Sequence, residues 1–135
     1  MPDSFFDTNT LLYIAGSDPA KAERTEDLLV QGGVISVQVL NEIANVARRK
    51  MRLDWDQAHA LLATFQDVLA VKPVTLHIHQ AGMGLAERYK FSVYDAMIVA
   101  SALDAGCTIL WSEDMQHGLR VNDQLRILDP YQTSA

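Results

Sequence analysis

Short apolar runs of strand length alternate with longer stretches of helical period along the whole chain, which restricts the fold to the α/β class. Strands are expected at Ser4–Phe6, Val34–Ser36, Val71–Val74, Thr108–Trp111 and Arg126–Leu128. Helices are expected at Thr10–Ala15, Ala20–Val30, Val37–Met51, Trp55–Leu69, Ile78–Tyr89 and Asp95–Ala105. Their ends carry punctuation: Pro19 suits an early helical position, Gly32-Gly33 and Gly106 follow helix ends, and Asp54 can cap the helix that starts at Trp55. Parallel strands joined by right-handed helical crossovers make a three-layer α/β/α sandwich around a mainly parallel sheet of about five strands. The segment Ala-Met-Ile-Val-Ala-Ser-Ala-Leu after Asp95 is apolar on nearly every side, so its helix is expected to be central and buried.

The 135 residues fit one domain, residues 1–135, with no repeat, linker or low-complexity tract to divide them. A hydrophobic fraction of 49% against 21% charged residues argues against disorder and for a packed core. Cys107 is the only cysteine, so an intramolecular disulfide is excluded and an inert core thiol is expected. No basic segment precedes the short apolar run at the N-terminus, and no apolar stretch reaches membrane-spanning length. A cytoplasmic protein without membrane contact is the expectation. The net charge of −6 speaks against nucleic acid at first sight, because phosphate binding rests on excess Lys and Arg. Acidic residues that bind metal ions are counted in that tally, however, although they present positive charge once loaded.

In an open parallel sheet the functional site lies beyond the carboxyl ends of the strands. Asp7 closes the first strand in Phe5-Phe6-Asp7-Thr8-Asn9, where helix capping competes with ligation. Asp95 follows Ser92-Val93-Tyr94 in a pattern that also fits a capping box, but it stands at the mouth of the most apolar helix, where an unpaired acid is costly. Asp114 follows the fourth strand in Trp111-Ser112-Glu113-Asp114; Ser112 can hold Asp114 or a phosphate, and Glu113 is expected to face solvent. Glu42 lies at the edge of the apolar stripe of Val39, Leu40, Ile43, Val46 and Ala47, with Asn45 and Arg49 on its side. Like charges near 4 Å repel by about 4 kcal/mol at an effective dielectric of 20, so a cluster of these acids calls for cations. All-oxygen ligation suits Mg²⁺ or Mn²⁺. Zinc is disfavoured, since His77-Ile78-His79 is the only close histidine pair and has no cysteine nearby. Gly82-Met83-Gly84 falls inside a helical pattern and does not make a nucleotide loop.

These motifs, in this order, give the chain a resemblance to the PIN-domain nucleases, and among them to the VapC-like toxins of bacterial toxin–antitoxin pairs. Asp7-Thr8-Asn9 resembles the opening motif, Glu42 sits in the corresponding helix, Ser92-Val93-Tyr94-Asp95-Ala96 resembles the central acidic motif, and Ser112-Glu113-Asp114-Met115-Gln116-His117-Gly118 the last. Tyr94 stands where tryptophan is more frequent. The resemblance implies a metal-dependent endoribonuclease with Asp7, Glu42, Asp95 and Asp114 at the metal site, supported by Asn9 and Ser112. It also implies an RNA substrate, a homodimer and inhibition by a cognate antitoxin. It leaves open whether Glu113 or His117 joins the site. In such chemistry the cations activate water and stabilise the charge on phosphorus, and no covalent protein intermediate is needed. Arg48, Arg49, Lys50 and Arg52 either hold RNA phosphates or complement the helix dipole.

Three rivals differ in their residues. A phosphohydrolase of the haloacid-dehalogenase type needs a second Asp where this chain has Asn9. A phospho-receiver module needs an acceptor Asp after its third strand and a Lys after its fifth, and Lys72-Pro73-Val74-Thr75 and Leu128-Asp129-Pro130 supply neither. A catalytically inactive RNA-binding PIN-like domain is disfavoured by the intact acid set.

Overall fold

The structure, a computed structural model, describes residues 3–132. Its centre is a six-stranded sheet of β1 (Ser4–Phe6), β2 (Val34–Ser36), β3 (Ala70–Lys72), β4 (Ile109–Trp111), β5 (Arg120–Val121) and β6 (Leu125–Leu128), in the order β3-β2-β1-β4-β6-β5. Every pairing is parallel except that of β5 with β6. The helices are α1 (Thr8–Leu12), α2 (Pro19–Val30), α3 (Val37–Arg49), α4 (Trp55–Val68), α5 (Leu76–Tyr89) and α6 (Val93–Asp104). The chain steps outward from β1 to β2 to β3 and then returns to place β4 on the other side of β1. With right-handed crossovers this reversal puts α1 to α4 on one face and α5 and α6 on the other, the expected three-layer sandwich.

Several boundaries differ from the sequence expectation, each for a local reason. The sheet has six strands and not about five. The extra strand β5 has only two residues, too few to show a period, and joins β6 through a turn in which Asn122 and Asp123 both hold positive φ, 52° and 54°. Asn and Asp tolerate that conformation, and the Gln124 N–H closes the turn on the Val121 carbonyl at 3.0 Å. Strand β3 starts and ends earlier than Val71–Val74, because Pro73 cannot continue its ladder. The first helix begins at Thr8 and not Thr10, and its last turn, Tyr13–Ala15, is 3₁₀. Helices α5 and α6 likewise begin earlier, capped by the Thr75 and Ser92 hydroxyls.

The core lies on both sides of β1. Phe5, Phe6, Ile35, Leu110 and Ile127 from the strands are fully buried against Leu11, Val39, Ile43 and Phe65 from the helices and against Ile98 and Val99 of α6. Every residue of α6 from Ala96 to Ala102 is buried, as its apolar sequence requires. Asp54 and Gln57 form a capping box on α4, and Gly32 and Gly106 adopt positive φ after α2 and α6. Cys107 is a buried thiol whose pKa burial raises to about 11, the state of an inert core residue. Among the described residues no helix is long and apolar enough to cross a membrane.

Candidate active site

The strand order reverses at β1, and acids follow the carboxyl ends of both β1 and β4, where open parallel sheets place their sites. The Asp7 N–H donates to the Trp111 carbonyl at 3.0 Å, which joins the two strand ends. Asp7 is only 5% exposed. Its Oδ1 accepts the Thr8 N–H at 2.7 Å, and its Oδ2 accepts the Ser112 hydroxyl at 2.8 Å. The Ser112 Oγ in turn accepts the Asp114 N–H at 3.2 Å, so one buried hydroxyl positions both acids. Capping and site-building, which compete in the sequence, coincide here: Asp7 is the N-cap of α1 and also feels the charges of Asp95 and Asp114.

Glu42 projects from α3 toward the same edge. Its Oε1 accepts the Thr8 hydroxyl at 2.7 Å and its Oε2 accepts the Gln38 amide at 3.1 Å. Asn9 donates its side-chain amide to Asp114 Oδ2. Asp95, half-buried in the first turn of α6, has its N–H capped by Ser92 at 3.2 Å.

Electrostatics tie the four acids together. Burial pushes the Asp7 carboxyl up to about 6; the Ser112 and Thr8 bonds oppose it, and the charges of Asp95 and Asp114 add to it. Burial also raises Asp95, with the Ser92 hydroxyl opposing and the charges of Asp114 and Glu42 adding. Asp7 thus stands within the fields of Asp95 and Asp114, and Asp95 within those of Asp114 and Glu42. Among the described residues no three His, Cys, Asp or Glu side chains converge closely enough to hold an ion by themselves. The donors are carboxylate oxygens, and Mg²⁺ uses one or two of these while keeping several waters, so the residues present fit a hard, partly hydrated divalent cation.

Residues 4–120 match the family model of the PIN domain. This chain is a PIN-domain protein. Among solved structures, the fold resembles a toxin–antitoxin complex from Klebsiella pneumoniae with a TM-score of 0.73 and 17% identity, covering 96% of this chain and 99% of that one. VapC20 of Mycobacterium tuberculosis, a toxin that cleaves the sarcin–ricin loop, gives a TM-score of 0.67 at 21% identity over 82% of this chain and 91% of that one. VapBC2 from Rickettsia felis, bound to a DNA fragment from its promoter, gives 0.67 at 18% identity over 93% and 98%. At these identities the likeness is one of fold. No curated protein is matched by sequence.

Around the acids, this PIN domain departs from its sequence reading at four residues. Glu113 does not face solvent freely: it accepts from the Tyr13 hydroxyl and pairs with Lys21 of α2. Burial acts to raise its carboxyl, but Lys21 and Tyr13 prevail and hold it below the usual range. The Lys21 ammonium also lies 4.7 Å and 5.0 Å from the ring centres of Tyr13 and Tyr131, an anchorage for the loop that carries Asp114. Arg48 is committed to the fold, donating to the Leu53 carbonyl at 2.8 Å and stacking on Trp55 at 4.1 Å, whereas Arg49, Lys50 and Arg52 are exposed. The His117 Nδ1 accepts the Asp129 N–H at 2.8 Å and fastens the loop after β4 to the end of β6. Thr8 links Asp7 to Glu42, its N–H donating to Asp7 and its hydroxyl to Glu42. Its position between Asp7 and Asn9 was the one available signal for that role.

Proposed function

We propose that this PIN domain, with residues 1–135 forming one unit, is a Mg²⁺- or Mn²⁺-dependent endoribonuclease that hydrolyses RNA phosphodiester bonds. We further propose that it acts as the toxin of a toxin–antitoxin pair, as a cytoplasmic homodimer. The observation that carries the reading is the Asp7 carboxyl, buried where the strand order reverses, its pKa raised chiefly by that burial and further by the charges of Asp95 and Asp114. A buried acid facing like charges is unfavourable unless a cation neutralises it. When bound, a divalent cation lowers the pKa of water and offsets the charge that develops on the phosphoryl oxygens.

The chain's own residues prepare that site. Of Asp7, Glu42, Asp95 and Asp114, one or two would bind the cation directly and the others through its waters. Thr8 and Ser112 each occupy one oxygen of Asp7, and a carboxylate retains further lone pairs for a ligand. Thr8 fixes Glu42, and Asn9 with Ser112 fixes Asp114, so these ligands are oriented by hydrogen bonds before RNA arrives. Arg49 and Arg52, exposed at the end of α3 and just beyond, are placed to hold phosphates outside the acid edge. The fold likeness to toxin–antitoxin complexes supports a protein antitoxin as the inhibitor.

Brief expression followed by sequencing of RNA ends tests this reading. The wild type is expected to create discrete new ends, which disappear with Asp95→Asn. A folded, expressed wild type that leaves the RNA population unchanged overturns it.

A further inference from the structure

Beside the acid edge lies a hollow of about 350 Å³ lined by Gln38, Asn41, Glu42, Asn45 and Tyr94. Four of these residues come from α3 at positions i, i+3, i+4 and i+7, a single stripe on the helix, and Arg49 extends the stripe by one further turn. Tyr94 sits in the first turn of α6 with 72% of its surface exposed, although an aromatic ring gains most from burial. The hollow is tied to the acids: the Gln38 amide donates to Glu42 Oε2 at 3.1 Å and to the Tyr94 carbonyl at 3.2 Å. With both protons of that amide engaged, the Gln38 carbonyl oxygen remains an acceptor. Asn41 and Asn45 are exposed carboxamides, each offering a donor pair and an acceptor.

An open aromatic face, three carboxamides and an adjacent acid site are the chemistry of a nucleobase pocket. Aromatic rings stack on any base, whereas carboxamides select among base edges by hydrogen bonding. We propose that this hollow receives one unpaired base of a single-stranded RNA, stacked on Tyr94 and read by Gln38, Asn41 and Asn45, next to the phosphate held at the acid edge. The inference rests on the ribonuclease reading and adds to it the residues that would hold and read a base. A base inside a duplex is stacked on both faces and cannot meet the ring, so the target is a single strand, loop or bulge.

The test measures binding in the Asp7→Asn background, where chemistry is already removed. The probe is a 12-nucleotide single-stranded RNA carrying 2-aminopurine, whose fluorescence is quenched by stacking. The parent should bind and quench, Tyr94→Phe should behave as the parent, and Tyr94→Ala should lose the quench and bind about tenfold more weakly. The same RNA annealed to its complement should bind poorly. In the active protein, Asn41→Ala with Asn45→Ala should change which bases flank the cleaved bonds. Unaltered binding and quench in Tyr94→Ala overturns the proposal, as does a parent that gives no quench or binds the duplex equally well. The two readings fail separately: a wild type that cleaves no RNA but quenches through Tyr94 removes the nuclease alone. A wild type that cleaves RNA with Tyr94→Ala unaffected in both assays removes the base pocket alone.

Discussion

Asp7 is the residue in which folding and chemistry are most directly opposed. Its carboxyl ionises near 6 in the folded protein and near 3.8 in an unperturbed chain, chiefly because burial disfavours the charge. Between those values the folded state holds a proton that the unfolded state has released, so stability falls as pH rises from about 4 to about 6. The full difference amounts to about 3 kcal/mol, and Asp95 adds to it in the same direction. In EDTA the protein should therefore melt at a higher temperature at pH 4.5 than at pH 7.5, and Asp7→Asn should flatten the profile and raise the melting temperature at pH 7.5. Thermal melts across this range check both statements; a wild-type profile that rises toward pH 7.5 would show that Asp7 is not held against its charge. Adding Mg²⁺ at pH 7.5 should stabilise the wild type more than Asp7→Asn, because only the former supplies the carboxylate. Asp114→Asn should reduce the Mg²⁺ gain in the same way.

At the level of elements, α6 and the β1–β2 contact set the position of the acids and are the places where small changes are felt. The Ser101 hydroxyl is buried in α6 without a hydrogen-bond partner among the described residues, and Ser101→Ala should stabilise the protein by about 1 kcal/mol. Gly33 enters β2 so close to β1 that an added Cβ would lie 2.5 Å from Phe6 Cε2 and 3.0 Å from the Ser4 carbonyl oxygen. Gly33→Ala should cost about 1 to 3 kcal/mol by overpacking, a loss that denaturant unfolding would read directly. The stripe on α3 carries a different prediction: replacing Arg49 and Arg52 with Ala should weaken RNA binding and lower its salt slope by about 0.7 for each lost phosphate contact. An unchanged slope assigns both side chains to a solvated helix end. Strong periodic or apolar segments such as α3 and α6 were legible in the sequence because burial itself creates the pattern. The two-residue β5 was not, because its position is dictated by the Asn122–Asp123 turn and by pairing with β6.

Across the whole molecule, topology does what no single segment announces. The placement of Asp7 and Asp114 at one sheet edge followed from the strand order, since both close parallel strands that pair side by side. The links between acids were far less legible: Thr8 to Glu42, Asn9 to Asp114 and Ser112 to Asp7 span 34 and twice 105 positions, distances over which sequence spacing carries no signal. The ion pair of Glu113 with Lys21 was hidden for the same reason. The result is an acid edge oriented by the fold before any ligand binds. It is tested most directly by incubating the purified protein with a labelled single-stranded RNA in Mg²⁺ or Mn²⁺, with and without excess EDTA, beside Asp7→Asn and Asp95→Asn shown to be folded by circular dichroism. The wild type should cleave with metal but not in EDTA, and neither variant should cleave; cleavage that persists in EDTA, or full activity in both variants, would rule out a metal-dependent acid site.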